Sequence, residues 1–373
     1  MVYLDNAATT EVHPKVIEAM MDCLKHTFGN ASAKYYPEAI AANELVTQAR
    51  FHTSNLLGVK PTEVIFTSGA TESNNLILRG LSKAFPNKTK HIISTHGEHS
   101  SVKEVLDYLE REEGFEITYL SIDRHGNIDL NELENFIRPT TLLVTIGWVN
   151  SELGTIQPMN QIDQICLKKG VLLHSDATQA VGKLPIDLSD FDSLRFLSLS
   201  AHKFHGPKGI GAAVLRNDPD GVKYKIQPLM YGGEQEGSLR PGTLPVHNIV
   251  GMGVACQLAH QVIKNYIKEM KEKDQLVQQE LNRLFGSKLS MRDFENRLPG
   301  ILSIKIEGII NQLFLKKISD KISASTGSAC SINKPSAILK EAGYNQKEIE
   351  ETIRISFNSL SNVSSIGEIG SIR

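Results

Sequence analysis

Short apolar runs alternate along this chain with segments whose apolar residues recur every three or four positions, and that alternation sets the expected fold. Val64–Thr67 is rich in β-forming residues, and Thr71–Leu81 then carries a helical repeat. His91–Thr95 reads as a strand, followed by an amphipathic helix around Val102–Glu112. Phe115–Ile122 reads as a strand and Asn131–Ile137 as a short helix. A long apolar strand is expected over Thr141–Val149, then a helix over Ile162–Lys169 and strands over Val171–Ser175 and Arg195–Leu199. Continuous Val, Ile and Leu runs suit strands buried on both faces. The pattern therefore predicts an α/β fold with a mainly parallel, mixed sheet covered by helices.

From Pro245 the rhythm changes to a proline-free helical stretch reaching about Phe285. That length exceeds the usual globular helix, so a bend or break is expected within it. Residues from Ser287 to about Asn362 mix short strands and helices, as a smaller α+β unit would. The expected division is a large domain over 15–245 and a small domain from 1–14 and 246–373, with 246–285 as a long connecting helix.

The chain has 373 residues, enough for about two domains. A net charge of −2 leaves no bulk basic field, so no direct nucleic-acid contact is expected. No apolar run is long enough to span a membrane, and Met1–Asp5 does not open a charged-then-apolar leader. A cytoplasmic protein with no membrane partner is expected. Cys23, Cys166, Cys256 and Cys330 are scattered without ligand-like spacing, which argues against a disulfide framework or a metal site.

Lys203 ends the apolar run Arg195–Leu199 in a small, polar turn, with Ser200 and His202 beside it and a glycine-rich return after it. A lysine held at a strand end is placed for Schiff-base chemistry with a carbonyl or with pyridoxal 5′-phosphate. Asp176 ends an earlier apolar run and could pair with a pyridinium nitrogen. Alone, most lysines are solvated charges and most such aspartates are caps; the matched pair favours chemistry. Thr67–Asn75 joins a strand to a helix through small residues, a layout that caps a helix or cradles a phosphate. Beside Lys203 and Asp176 the phosphate cradle is the better reading. Cys23, Cys166 and Cys256 read as small buried apolar residues. Cys330 differs, because Ser325–Ser331 surrounds it with small and polar residues that suit an accessible thiol.

Ordered motifs along nearly the whole chain resemble the cysteine desulfurases, pyridoxal-phosphate enzymes of the class-V aminotransferase group with the fold-type-I architecture. They are Tyr3–Thr10, Ser68–Ser73, Glu98–His99, Val149–Gly154, Asp176–Gln179, His202–Lys203, Arg240–Thr243, Gly327–Cys330 and Ile353–Ser356. The resemblance implies that Lys203 carries the cofactor and moves the Cα proton, and that Asp176 pairs with the ring nitrogen. It implies that His99 stacks on the ring and moves protons to or from the substrate thiol, that Asn150 and Gln179 address the ring oxygen, and that Ala70, Thr71, Ser200 and His202 bind the phosphate. Thr243 would reach in from a second subunit of a homodimer. Arg354 would clamp the substrate carboxylate, with Asn30 helping. Cys330 would take the sulfur of L-cysteine as a persulfide, release alanine, and hand the sulfur to an acceptor protein. Iron–sulfur assembly, tRNA thiolation and DNA phosphorothioation are the candidate destinations.

Three segments depart from the family pattern. Tyr231–Arg240 puts Glu234 where relatives carry glycine and lacks their arginine, which predicts a carboxylate near the phosphate. Phe28–Lys34 lacks the usual Asn-Pro-Ser-Ser-x-His, and the stretch from Cys330 to Pro335 is shorter than in iron–sulfur-assembly relatives. Two other readings stay open at this level. One is a selenocysteine lyase, or another class-V enzyme that does not require Cys330. The other is an interaction protein that kept only the fold.

Overall fold

The computed structural model describes residues 2–85, 90–327, 336–364 and 366–367. Cys330 lies outside the described residues.

The chain opens with β1 (Val2–Tyr3), α1 (Pro14–His26) and α2 (Pro37–Leu57). An alternating series follows: β2 (Val64–Thr67), α3 (Ala70–Ala84), β3 (His91–Thr95), α4 (Ser100–Glu113), β4 (Glu116–Leu120), α5 (Leu130–Phe136), β5 (Thr141–Thr145), α6 (Met159–Lys169) and β6 (Leu172–Asp176). Then β7 (Leu194–Ser200) and β8 (Gly211–Leu215) lead to α7 (Val246–Phe285). The rest is β9 (Leu289–Met291), β10 (Ile301–Ile306), α8 (Asn311–Ile318), β11 (Ile322–Ser323), α9 (Ala337–Glu341), α10 (Gln346–Glu350) and β12 (Thr352–Ser356).

Among the described residues, seven strands form the main sheet in the order β2-β8-β7-β6-β5-β3-β4. Only β8 runs against its neighbours β2 and β7, so the sheet is mixed and mainly parallel. Helices cover both faces. On one face, Leu76, Ile77 and Leu81 of α3 and Val102, Leu106 and Leu109 of α4 pack on Ile92, Leu143 and Phe196. On the other, α1, α2, α6 and the first half of α7 join Phe66, Ile93, Val144, Leu173 and Leu197. Burial on both faces explains why these strands are short unbroken apolar runs.

A separate antiparallel sheet, β12-β10-β9, shares a second core with α8 and the second half of α7. Val2 and Leu4 belong to that core, because β1 pairs in parallel with β11. The arm after β1 then runs alongside β12, with Asp5 bridged to Ser356.

Two expectations from the sequence need correction. The apolar run Thr141–Val149 is a strand only to Thr145. Beyond it the chain still bonds to β6 (Ile146 N–H to the His174 carbonyl, Trp148 N–H to that of Asp176), but the Gly147 N–H donates to the buried Glu98 carboxyl instead of a strand. The long helix does not break: α7 is continuous over 40 residues. It is buried along its length, with Ile249, Met252 and Cys256 in the first core and Tyr266, Met270, Val277 and Leu281 in the second. One buried stripe serving two cores removes the reason to end the helix between them.

Gly253 shows how close α7 comes to α2. A Cβ there would lie 2.5 Å from Ala49 Cα. Gly253→Ala is predicted to destabilise the protein by about 1–3 kcal/mol through overpacking, although alanine is the better helix former by about 1 kcal/mol. The midpoint of urea unfolding checks this, and a higher midpoint for the variant would contradict it.

Candidate active site

The carboxyl ends of the parallel strands surround one cavity of about 270 Å³, where open α/β sheets place ligands. Thr95 ends β3, Asp176 ends β6 and Ser200 ends β7, and all three line it. Ala7, Ala8 and Arg354 approach from the N-terminal arm and from β12.

Lys203 sits in a single 3-10 turn, Ala201–Lys203, directly after β7. Glycines close that turn: a Cβ at Gly206 would lie 2.6 Å from that of Ala201, and one at Gly211 would lie 2.3 Å from the Leu199 carbonyl oxygen. His205 follows with φ 69, held there by Thr10 Oγ1 on its N–H at 2.8 Å and by the Glu11 carbonyl against its ring at 3.0 Å. The Lys203 ammonium donates to the carbonyls of Ala7 and Ala8, both at 2.7 Å. Its neighbour His202 meets Thr9 Oγ1 at 3.1 Å. Burial, and then the charges of Lys203, Lys208 and Lys183, push its pKa down to about 4, so His202 is neutral.

A hydrogen-bonded chain runs from Asp176 to His99. Asn74 Nδ2 donates to Asp176 Oδ2 at 2.8 Å and to Ser101 Oγ at 2.9 Å, and Ser101 Oγ lies 2.9 Å from His99 Nδ1. The Thr178 N–H holds the other Asp176 oxygen at 3.0 Å. His99 caps α4 by accepting the Ser101 N–H on Nδ1, so the neutral ring carries its proton on Nε2. The ring is reachable by water through the cavity mouth yet enclosed by protein. That enclosure lowers its pKa, with Lys203 adding to the effect and Asp176 opposing it.

Gly69, at φ 155, starts α3. The Ala70 N–H donates to Ser200 Oγ at 2.8 Å, which ties the helix start to the end of β7. Glu72 accepts the Ser68 N–H at 2.7 Å and pairs with Arg240 Nε at 3.0 Å. Gln179 donates to the Ala7 carbonyl at 2.8 Å and accepts from Lys183 Nζ at 2.7 Å. Asn150 spends its oxygen on the N–H groups of Glu152 and Leu153 and points its amide nitrogen to the Gly97 carbonyl at 3.1 Å. Arg354 donates to the Ser151 carbonyl at 2.9 Å and to Asp5 at 2.7 Å.

Lys203, His99, Ala70, Thr71, Asn150, Asp176, Gln179, Ser200, His202 and Arg354 thus all line the one cavity. Asn30 and Thr243 do not. Asn30 is exposed, with its side chain capping the Ser32 N–H, and Thr243 is exposed beyond the cavity lining. Glu234 does not bring a carboxylate into the cavity either, because its side chain is exposed. The buried carboxylate of that segment is Glu236. It pairs with Arg50 at 2.5 and 3.0 Å and accepts the Phe66 N–H at 2.7 Å, which steadies the left-handed turn Glu236–Ser238.

Two buried ionisable groups escaped the sequence reading. Glu98 lies inside the cavity wall, where burial, reinforced by Asp176, pushes its pKa up to about 8. Lys183 supports Gln179 from behind, and burial with the charges of Lys203 and Arg354 pushes its pKa down to about 7. The spacing of Gln179 and Lys183, one helical turn, was the only sign of the second; Glu98 was visible only as the neighbour of His99.

Residues 2–367 match the class-V aminotransferase family. The chain is 40% identical over 365 residues to cysteine desulfurase IscS of Salmonella paratyphi C, covering 95% of this chain and 87% of that one. Among solved structures it superposes on a NifS-like protein with a TM-score of 0.90 at 34% identity, covering 99% and 97% of the two chains. It superposes on DndA from Streptomyces lividans with a TM-score of 0.81 at 32% identity, covering 96% and 100%. The chain therefore belongs to the class-V aminotransferases, and within them to the cysteine desulfurase family of pyridoxal-phosphate enzymes.

The raised pKa of Glu98 has a consequence for stability. The folded protein keeps this proton up to about pH 8, whereas the unfolded chain loses it near the ordinary glutamate value of about 4.3. The folded state binds more protons between those limits, so stability falls as pH rises through that window. Glu98→Gln keeps an acceptor for the Gly147 N–H and removes the titration. Its Tm is predicted to gain on the wild type between pH 5.5 and 8; a gap that stays constant with pH would contradict this.

Proposed function

We propose that the protein is a cysteine desulfurase that converts L-cysteine to L-alanine and captures the sulfur as a persulfide on Cys330. The observation that carries this reading is the meeting of Lys203, Asp176, His99 and Arg354 in one cavity, in a chain so similar to enzymes of that name.

The residues present fit pyridoxal phosphate. The start of α3 offers first-turn N–H groups that have no acceptor within the helix. Gly69 and Gly97 leave room where a Cβ would lie 3.1 Å from Ser200 Oγ and 3.2 Å from Thr95 Oγ1. Thr178 Oγ1 and Arg354 Nε are buried without a hydrogen-bond partner among the described residues, as expected of groups that await a ligand. We assign the phosphate to Ala70, Thr71, Ser200 and His202, the ring nitrogen to Asp176, the ring face to His99 and the ring oxygen to Asn150 and Gln179. Bound there, the cofactor supplies the electron sink for reactions at the substrate's Cα.

The protein's own groups divide the remaining work. Lys203 Nζ holds the cofactor and takes the proton from the substrate's Cα. Asp176, whose two oxygens accept hydrogen bonds from Asn74 and the Thr178 N–H, would pair with a protonated ring nitrogen. His99, with its proton on Nε2, exchanges a proton with the substrate thiol. Arg354 binds the α-carboxylate. The Cys330 thiolate would attack the substrate sulfur: an S–S bond forms, the C–S bond breaks with its electron pair left on the substrate's Cβ, a proton adds there, and alanine leaves. A second thiol, from an acceptor protein or a reductant, then takes the terminal sulfur.

A homodimer completes this reading, with Thr243 serving the neighbouring cavity. Its support is the exposed apolar residues Ile17, Met21 and Leu24, which share one face of α1, with Phe28 and Tyr35 also exposed in the segment that follows. The division into a large domain over 15–245 and a small one from 1–14 and 246–373 belongs to the same proposal, as does a cytoplasmic location. Among the described residues no helix is long and apolar enough to cross a membrane.

Alanine release from L-cysteine with a thiol reductant tests the assignment. Cys330→Ala should keep the cofactor and lose turnover by roughly a hundredfold or more, as removal of a nucleophile does. Equal rates for both proteins would instead favour a lyase that bypasses Cys330.

A further inference from the structure

Arg354 is held by a carboxylate of its own chain. The residue is 3% exposed. Its Nη2 donates to Asp5 Oδ1 at 2.7 Å and its Nη1 to the Ser151 carbonyl at 2.9 Å, while Nε has no partner among the described residues. Arg354 lines the cavity and Asp5 does not. Asp5 is itself fixed by backbone: β1 pairs with β11, Asp5 is bridged to Ser356 on β12, and the Asn6 N–H donates to the Ser356 carbonyl at 3.1 Å.

A guanidinium is planar, and its five N–H groups can serve many acceptors. Bidentate capture of a carboxylate needs that plane held still. Two anchors on different terminal nitrogens stop it from pivoting, and they leave Nε–H unspent together with one N–H on each terminal nitrogen. The Asp5 charge also balances a buried cation that would be costly alone. Resting on the reading of Arg354 as the carboxylate-binding group, we infer that Asp5 is a positioning residue, which keeps the Arg354 guanidinium oriented for the substrate's α-carboxylate from outside the cavity.

The test uses the holoenzyme and two ligands that differ only in the carboxylate, L-alanine and ethylamine, titrated by cofactor absorbance. Asp5→Ala should raise the Kd for L-alanine and the KM for L-cysteine about tenfold, the scale of one hydrogen bond to a charged group. It should leave kcat within about threefold and the ethylamine Kd unchanged. Asp5→Asn keeps an oxygen that can accept from Nη2 and should stay within about threefold of wild type. Equal weakening of both ligands, or of neither, would overturn the inference. Should the alanine variant fail to hold the cofactor, Asp5→Glu carries the test. Moving the carboxylate by one methylene must weaken L-alanine severalfold more than ethylamine, and equal effects would overturn the proposal. A wild type that prefers L-alanine to ethylamine but releases no alanine from cysteine would sink the desulfurase reading and leave the role of Asp5 to be decided by the titration.

Discussion

The carbonyls of Ala7 and Ala8 accept the ammonium of Lys203, and the rest of the site depends on the arm that delivers them. A charged amine in a half-enclosed cavity needs acceptors, since leaving it unpaired would be costly. The arm can supply them only because it is anchored in the other part of the protein, through β1 on β11 and Asp5 beside Ser356. Along a few residues it then meets four site groups: Arg354 at Asp5, Gln179 and Lys203 at Ala7, and His202 at Thr9. The Thr10 N–H and hydroxyl both donate to the His202 carbonyl, which closes the turn that carries Lys203. The segment is thus a beam between the two sheets, and it ties the strand bearing the arginine to the turn bearing the lysine.

Burial sets the charge pattern around that beam. Glu98 is pushed to its protonated form, and His99 and His202 to their neutral forms. Asp176 instead receives two hydrogen bonds from donors that are themselves fixed. The cavity therefore sets Asp176, Lys203 and Arg354, each held by hydrogen bonds, beside neutral Glu98, His99 and His202. Groups whose environments push their proton affinities apart are the usual mark of acid–base machinery. Lys183 is the exception in position rather than in kind: it is buried behind Gln179 and holds that amide with its oxygen inward to the amine, so that the amide nitrogen faces the arm.

Much of this was legible in the sequence, for local reasons. Strands buried on both faces must be apolar runs, so the alternation with helical repeats exposed the main sheet. Lys203 and Asp176 stand at the ends of such runs, and strand ends are where this architecture exposes side chains to a ligand. Arg354 was legible through its motif, but its ion pair with Asp5 was not, because it joins residues at opposite ends of the chain. The unbroken α7 was missed for a similar reason. Helix length is a local statistic, and this helix is long because it serves two cores that only the fold brings together. Asn30 and Glu234 show the converse: motif position drew attention to them, yet they stand on the surface, outside the cavity.

We propose that the cofactor is carried by Lys203, although Lys183 is a second buried lysine nearby with a lowered pKa. Borohydride reduction of the holoenzyme, followed by proteolysis and mass spectrometry, decides between them by fixing the cofactor to the amine that holds it. The phosphopyridoxyl mass is expected on the peptide containing Lys203, with Lys183 unmodified. Label on Lys183, or on no lysine of the cavity, would contradict it.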